Sequence, residues 1–152
     1  MNYQSEAQLE QNLIADLCKR GFEKVDIVDK DTLVNNFRHT LYLYNQDKLN
    51  NTPFTDKEFE RILVHLEGKT VYQSSRILRD KFILQREDGT EVYIEFFDKN
   101  WDKNIYQVTN QVTLKGRYTN RYDVTILANG LPVIQIELKR RGDRKSTRLN
   151  SS

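Results

Sequence analysis

The chain has 152 residues, 24 of them basic and 22 acidic, for a formal net charge of +2. That length suits one domain with a core of its own, and so even a balance excludes the global basic footprint of a nucleic-acid-coating protein, so any DNA site must be local. A single cysteine, Cys18, excludes an internal disulfide and favours a reducing compartment. No stretch reaches the apolar length of a signal peptide or membrane span, so a cytoplasmic protein without membrane contact is expected.

Ser5 with Gln8 three residues on forms a capping-box pattern. Leu9, Leu13 and Leu17 with Ile14 and Cys18 then give an apolar helical stripe that should stop at Gly21, with Cys18 as a small buried hydrophobe. Glu6 and Glu10 lie one turn apart on the flank of this helix. Phe22 to Ile27 suits a short strand, and Thr32 to Tyr44 a helix with Leu33, Phe37, Leu41 and Tyr44 on one side. After a polar loop from Asn45 to Pro53, Thr55 and Glu58 make a second capping box. It opens a helix through Phe59, Ile62, Leu63 and Leu66 that should end at Gly68. These two helices read as a helical insertion between the first helix and the sheet. His39 and His65 have no second ligand at metal-binding spacing and read as structural or surface residues.

Ser74 to Asp80 can hold a helical turn. Lys81 to Arg86 and Glu91 to Phe97 flank Asp88-Gly89 as a hairpin, with Phe82, Leu84, Val92, Ile94 and Phe96 on one face. Phe97, Trp101 and Tyr106 stand among Lys99 and Lys103. Such a mixture either contacts DNA by stacking and phosphate pairing or forms a loop pinned by partly buried rings. Ile105 to Leu114 alternates as a strand. Lys115, Arg117 and Arg121 come just before Asp123 and are candidate phosphate contacts, although a solvated turn accounts for them as well.

The most informative stretch runs from Arg121 to Lys139. Both halves alternate with period two, Asp123 and Thr125 against Val124 and Ile126, then Gln135, Glu137 and Lys139 against Ile134, Ile136 and Leu138. Between them Asn129-Gly130 is a strong hairpin signal. A two-residue loop would set Val124 against Gln135, whereas a three-residue loop, Asn129 to Leu131, matches the faces and places Asp123 opposite Glu137. The three-residue loop is therefore expected. Two carboxylates about 4 Å apart repel by about 4 kcal/mol at an effective dielectric near 20. Lys139 supplies one compensating charge, and a hard divalent ion held by few carboxylates and several waters is the better complement.

Through Asp123, Glu137 and Lys139 the sequence resembles the PD-(D/E)xK nuclease superfamily, with tyrosine rather than proline before the first acid. The longer runs Asn120-Arg-Tyr-Asp-Val-Thr-Ile126, Asn129-Gly-Leu-Pro132 and Gln135-Ile-Glu-Leu-Lys-Arg-Arg-Gly142 are similar to the amino-terminal nuclease domain of the R (restriction) subunit of type I restriction-modification enzymes. The opening Tyr3-Gln-Ser-Glu-Ala-Gln-Leu-Glu10 has the same look. The resemblance implies an α/β, restriction-endonuclease-like mixed β-sheet flanked by helices. It also implies Mg²⁺-dependent cleavage of double-stranded DNA, with Asp123, Glu137 and the Leu138 backbone carbonyl on the metal and Lys139 at the attacking water. Glu10 is the carry-over for a metal-approaching glutamate of the first helix, and a solvated helix carboxylate is its alternative. Coupling to an ATP-driven translocase in the same subunit, and to methylation and specificity subunits, is likewise implied. No G-x-x-x-x-G-K-[ST] loop occurs here, so ATP would bind elsewhere in the full-length protein.

After Gly142 the texture changes to Asp143-Arg-Lys-Ser-Thr-Arg-Leu-Asn-Ser-Ser152, which reads as the translation of a sequencing-library adapter and falls outside the fold argument. Residues 1–142 are thus expected to be a nuclease domain incomplete at its carboxyl end, and inactive by itself. A stand-alone nuclease of the same superfamily, or a non-catalytic DNA-binding or docking remnant, is the competing reading.

Overall fold

The structure, a computed structural model, describes residues 5–67, 79–114 and 120–138. Three helices and six strands are formed there: α1 (Glu6–Lys19), β1 (Glu23–Lys24), α2 (Lys30–Tyr44), α3 (Asp56–Leu66), β2 (Phe82–Gln85), β3 (Glu91–Ile94), β4 (Tyr106–Leu114), β5 (Asn120–Ala128) and β6 (Leu131–Ile136). The fold is α/β, with one four-stranded sheet in the order β1-β4-β5-β6 and a separate two-stranded sheet of β2 and β3. The larger sheet is mixed: β1 runs parallel to β4, while β5 and β6 are joined by a two-residue turn and so run antiparallel.

Helix starts follow the side chains that satisfy orphan backbone donors. Ser5 Oγ accepts from the Gln8 N–H at α1. At α3 the Thr55 hydroxyl and the Glu58 carboxylate complete the reciprocal box, an arrangement worth about 1 kcal/mol. Helix α2 begins earlier than the apolar period suggests. Asp29 Oδ1 accepts from the Thr32 N–H, and the first turn forms ahead of Leu33. The expected endpoint Gly68, the helical turn near Ser74 and the boundary at residue 142 lie outside the described residues.

By internal packing the chain divides into two compact units. One comprises Met1–Leu33, Tyr106–Leu127 and Pro132–Ser152, the other Val34–Ile105 and Ala128–Leu131. The second unit holds the larger apolar core, in which Phe37, Leu41, Leu49, Phe54, Phe59 and Ile62 pack with Leu84, Ile94 and Phe96. Each such side chain contributes about 1.5–3 kcal/mol by leaving water. Phe82 pairs with Ile94 and Leu84 with Val92, so the expected apolar face of this hairpin is the one that meets the core. The hairpin is not part of the main sheet. It joins the two helices of the insertion, which is therefore larger and less purely helical than expected.

In the first unit a smaller cluster forms around Ile27 and Leu127, with Val25 and Leu33 against it. The stripe of α1 is only half-buried, and Cys18 is exposed rather than buried. The fully buried residue of α1 is Glu10. Among the described residues no helix is long and apolar enough to cross a membrane.

Candidate active site

The candidate residues Asp123 and Glu137 lie at the hairpin of β5 and β6. Asn129 and Gly130 have φ of 52° and 88°, the paired left-handed conformation of a type I′ turn, between Ala128 at the end of β5 and Leu131 at the start of β6. This two-residue turn replaces the three-residue loop expected from face matching. Its tip is not a solvent loop. Asn129 is buried, takes the Ile105 N–H on Oδ1, and donates through Nδ2 to the Phe96 carbonyl and Asn104 Oδ1. A Cβ on Gly130 would stand 2.7 Å from the Phe37 Cα. Glycine is required there by space as well as by φ.

The reason face matching misleads is burial. Strand β5 lies between β4 and β6, and Val124, Thr125, Ile126, Leu127 and Ala128 are all buried. A strand covered on both faces has no wet side to match. Among the described strands β6 is at the end of the sheet order, and Val133 and Ile134 remain 42% and 44% exposed.

At the far end of the hairpin Asp123 is half-buried, and its Oδ2 accepts from the Leu138 N–H at 2.7 Å. The bond holds the Asp123 carboxylate beside the Glu137-Leu138 peptide, where Glu137 itself is exposed. With Ala128 and Leu131 flanking the two-residue turn, Asp123 falls opposite Ile136 and not opposite Glu137 as the three-residue loop would have set it, and Glu137 lies just past the end of β6; Asp123, Glu137 and the Leu138 carbonyl are the oxygen donors at this end of the hairpin. All are hard oxygen donors, the chemistry that suits Mg²⁺ with a largely aqueous shell.

Glu10 is held from β4. Its Oε2 accepts from Asn110 Nδ2 on β4 at 2.8 Å, and its residue is 6% exposed. Among the described residues no three His, Cys, Asp or Glu side chains gather as a metal cluster, so Glu10, Asp123 and Glu137 do not form one. Next along β4, Thr109 Oγ1 takes the Ile27 N–H at 3.4 Å, and alternation along the strand puts Asn110 and Thr109 on opposite faces. Lys139, Lys115 and Arg117 lie outside the described residues, and Arg121 is placed only as a member of β5.

His65 is structural, its ring stacked 4.4 Å from that of Phe82. Sequence reading did not single out the buried ion pair of Glu58 and Arg86, whose side chains are 1% and 8% exposed. Arg86 also donates to the Leu49, Thr52 and Pro53 carbonyls. Burial pushes the Glu58 carboxyl up, but the Arg86 hydrogen bond, the Thr55 and Glu87 N–H groups and the Arg86 charge together hold it below the ordinary value of 4.5. Its signal was the capping box, which fixes Glu58 on the buried side of α3.

The described residues thus form an α/β domain with a carboxylate-bearing hairpin in a mixed sheet. The chain belongs to the type I restriction enzyme R protein N-terminus family, whose model matches residues 3–150. It is 52% identical over 143 residues to the type I restriction enzyme SauMSSORF170P endonuclease subunit of Staphylococcus aureus (strain MSSA476), and 51% identical over 143 residues to the SsaAORF53P endonuclease subunit of Staphylococcus saprophyticus. Each match covers 93% of this chain and 15% of the relative. With the type I restriction enzyme EcoprrI endonuclease subunit of Escherichia coli it shares 37% identity over 148 residues, 93% of this chain and 46% of that protein. The chain therefore spans about 15% of the length of the staphylococcal relatives it matches.

Proposed function

We propose that this chain is the nuclease part of a type I restriction enzyme R subunit and that it cuts double-stranded DNA at the Asp123–Glu137 hairpin. The observation that carries the reading is the Asp123 bond to the Leu138 N–H, which ties the two acid-bearing segments of the hairpin at one place. Asp123, Glu137 and the Leu138 carbonyl are the groups that would hold Mg²⁺. When bound, the ion supplies Lewis-acid polarisation of the scissile phosphate.

The chain's own residues do the rest. Leu138 N–H occupies one oxygen of Asp123, so the carboxylate rotates little and presents the other. Lys139 is assigned to the attacking water, orienting it or helping to remove its proton and steadying negative charge on the phosphoryl oxygens. Lys115, Arg117 and Arg121 are assigned to phosphates of the DNA backbone. ATP-driven translocation, and the methylation and specificity subunits that choose the site, belong to the whole enzyme, which acts in the cytoplasm. The isolated chain is expected to cleave weakly or not at all.

The test is a pair of substitutions in a full-length enzyme. Glu137→Ala is expected to abolish cleavage and weaken divalent-ion binding measured calorimetrically. Lys139→Ala is expected to abolish cleavage and leave that binding mostly intact. Normal plasmid cutting by either variant overturns the assignment.

A further inference from the structure

Asn129 and Gly130 are the chain's single Asn-Gly pair, and that dipeptide carries chemistry of its own. Glycine puts no Cβ beside its backbone nitrogen, so the Gly130 nitrogen can reach the Asn129 side-chain carbon wherever the chain is free to turn. The nitrogen then bonds to Cγ and gives up its proton, the bond from Cγ to Nδ2 breaks, and ammonia leaves. Water opens the resulting five-membered imide at either carbonyl, giving aspartate or isoaspartate. Water is the sole co-reactant, and nothing is oxidised or reduced.

In the folded protein the amide that must react is held. Asn129 is fully buried. Its Oδ1 takes the Ile105 N–H at 2.8 Å, and its Nδ2 donates to the Phe96 carbonyl and to Asn104 Oδ1, both at 2.9 Å. These bonds fix the amide plane, so Cγ cannot swing onto the Gly130 nitrogen, and Phe37 closes the space over Gly130. The same seat tells an amide from an acid. An ionised carboxylate has no proton to donate and would face two acceptors, the Phe96 carbonyl and Asn104 Oδ1. Asn104 cannot turn its own amide round to help, because its Oδ1 takes the Asp98 N–H and its Nδ2 donates to the Asp98 carbonyl. A buried charge with one donor, the Ile105 N–H, and two opposing oxygens is strongly disfavoured. Isoaspartate adds a carbon to the backbone of a two-residue turn and puts Leu131 out of step with Ala128.

We propose that Asn129-Gly130 is a self-modification site, shielded in the folded protein and open in the unfolded one, whose conversion to aspartate or isoaspartate bars the chain from rebuilding its β5–β6 hairpin. The rate follows the population of chains in which the turn has left its seat. A chain that lingers unfolded is marked, and the mark falls on the hairpin that carries Asp123 and Glu137. The proposal rests on the seat of Asn129 and holds whether or not the hairpin binds metal.

The 152-residue chain is incubated in mildly alkaline buffer, native and in urea, and digested with trypsin after set times. The peptide from Tyr122 to Lys139 contains Asn129 as its sole asparagine, so its mass gain reads the step directly and its retention separates aspartate from isoaspartate. Conversion in the native chain is expected to be at least about a hundredfold slower than in urea. When partly converted chains are diluted from urea, the refolded, protease-resistant fraction should hold the unconverted peptide and the rejected fraction the converted one. Asn129→Asp carries the acid from the start. Its carboxyl, buried against two acceptors, should titrate above the ordinary aspartate value of about 3.9. Its melting temperature should therefore fall further below wild type as pH rises from about 4 to about 7. Asn129→Gly, uncharged and at ease with positive φ, should show a deficit without that slope. Equal conversion in native and urea samples overturns the proposal. So does converted peptide shared equally between the refolded and rejected fractions, or an Asn129→Asp deficit no more pH-dependent than that of Asn129→Gly.

Discussion

The two hairpins of this protein obey different rules. In β2–β3 burial follows the strand period, with Leu84 and Ile94 buried, Phe82 and Val92 half-buried, and Ile83 and Tyr93 exposed. In β5–β6 it follows the strand, β5 being buried on successive residues and β6 exposed on most of its length. The first hairpin lays one face on a helical core. The second is the centre and edge of a sheet, where position in the strand order decides exposure and the period does not. The alternation of β5 in the sequence thus did not reveal that both of its faces are covered, and it says little about register where they are.

The largest expected effect sharpens this contrast at the root of the first hairpin. Arg86→Met leaves the Glu58 carboxylate buried without its partner and is expected to cost about 3–5 kcal/mol, read by chemical denaturation. The same pair sets an acid limit. Because the Glu58 carboxyl titrates below its ordinary value in the folded chain, its contribution is present above pH 4.5 and is lost as pH falls through the lower folded value. The melting temperature of wild type should drop over that acid window, and the drop should shrink in Arg86→Met.

Next come the turns. Gly130→Ala puts a Cβ against the Phe37 backbone at positive φ and should destabilise by about 3 kcal/mol. Gly89 also has positive φ, at 90°, but a Cβ there would meet nothing within 4 Å, so Gly89→Ala should cost only about 1 kcal/mol. Equal losses at the two glycines, measured by the same denaturation, would break the comparison. Smallest of all, Ile134→Thr on the exposed edge strand should stay within about 0.5 kcal/mol.

Local chemistry was legible wherever one residue type does one job. Ser5, Thr55 and Glu58 announced their helix starts, and Asp88-Gly89 its turn, because caps and turns are solved within a few residues. Asp29 was equally local and could have been found, since Asp-x-x-Thr offers the first-turn donors an acceptor. The Asn129-Gly130 turn type was also in the sequence, but it was overruled by an argument about faces that long-range packing invalidates. Cys18 and Glu10 exchanged their expected burial for a related reason. Helix α1 meets β4 through the bond between Glu10 and Asn110, and a hydrogen-bonded amide partners a buried carboxylate that composition alone would leave in water. For the site, the pairing of Asp123 with Glu137 was read from a three-residue loop that the Asn129-Gly130 turn replaces, and the Leu138 N–H that fixes Asp123 depends on the hairpin's far end.

The seat of Gly130 under Phe37 also has a consequence in time. Synthesis from Phe37 to Gly130 takes roughly five to twenty seconds at ordinary ribosomal rates. Throughout that interval the α2 surface that will receive the turn is made but uncovered, and helices α2 and α3 and the β2–β3 hairpin must assemble without it. The turn then enters a place already shaped by earlier-made residues, so the β5–β6 hairpin is ordered after α2, α3 and the β2–β3 hairpin on the nascent chain.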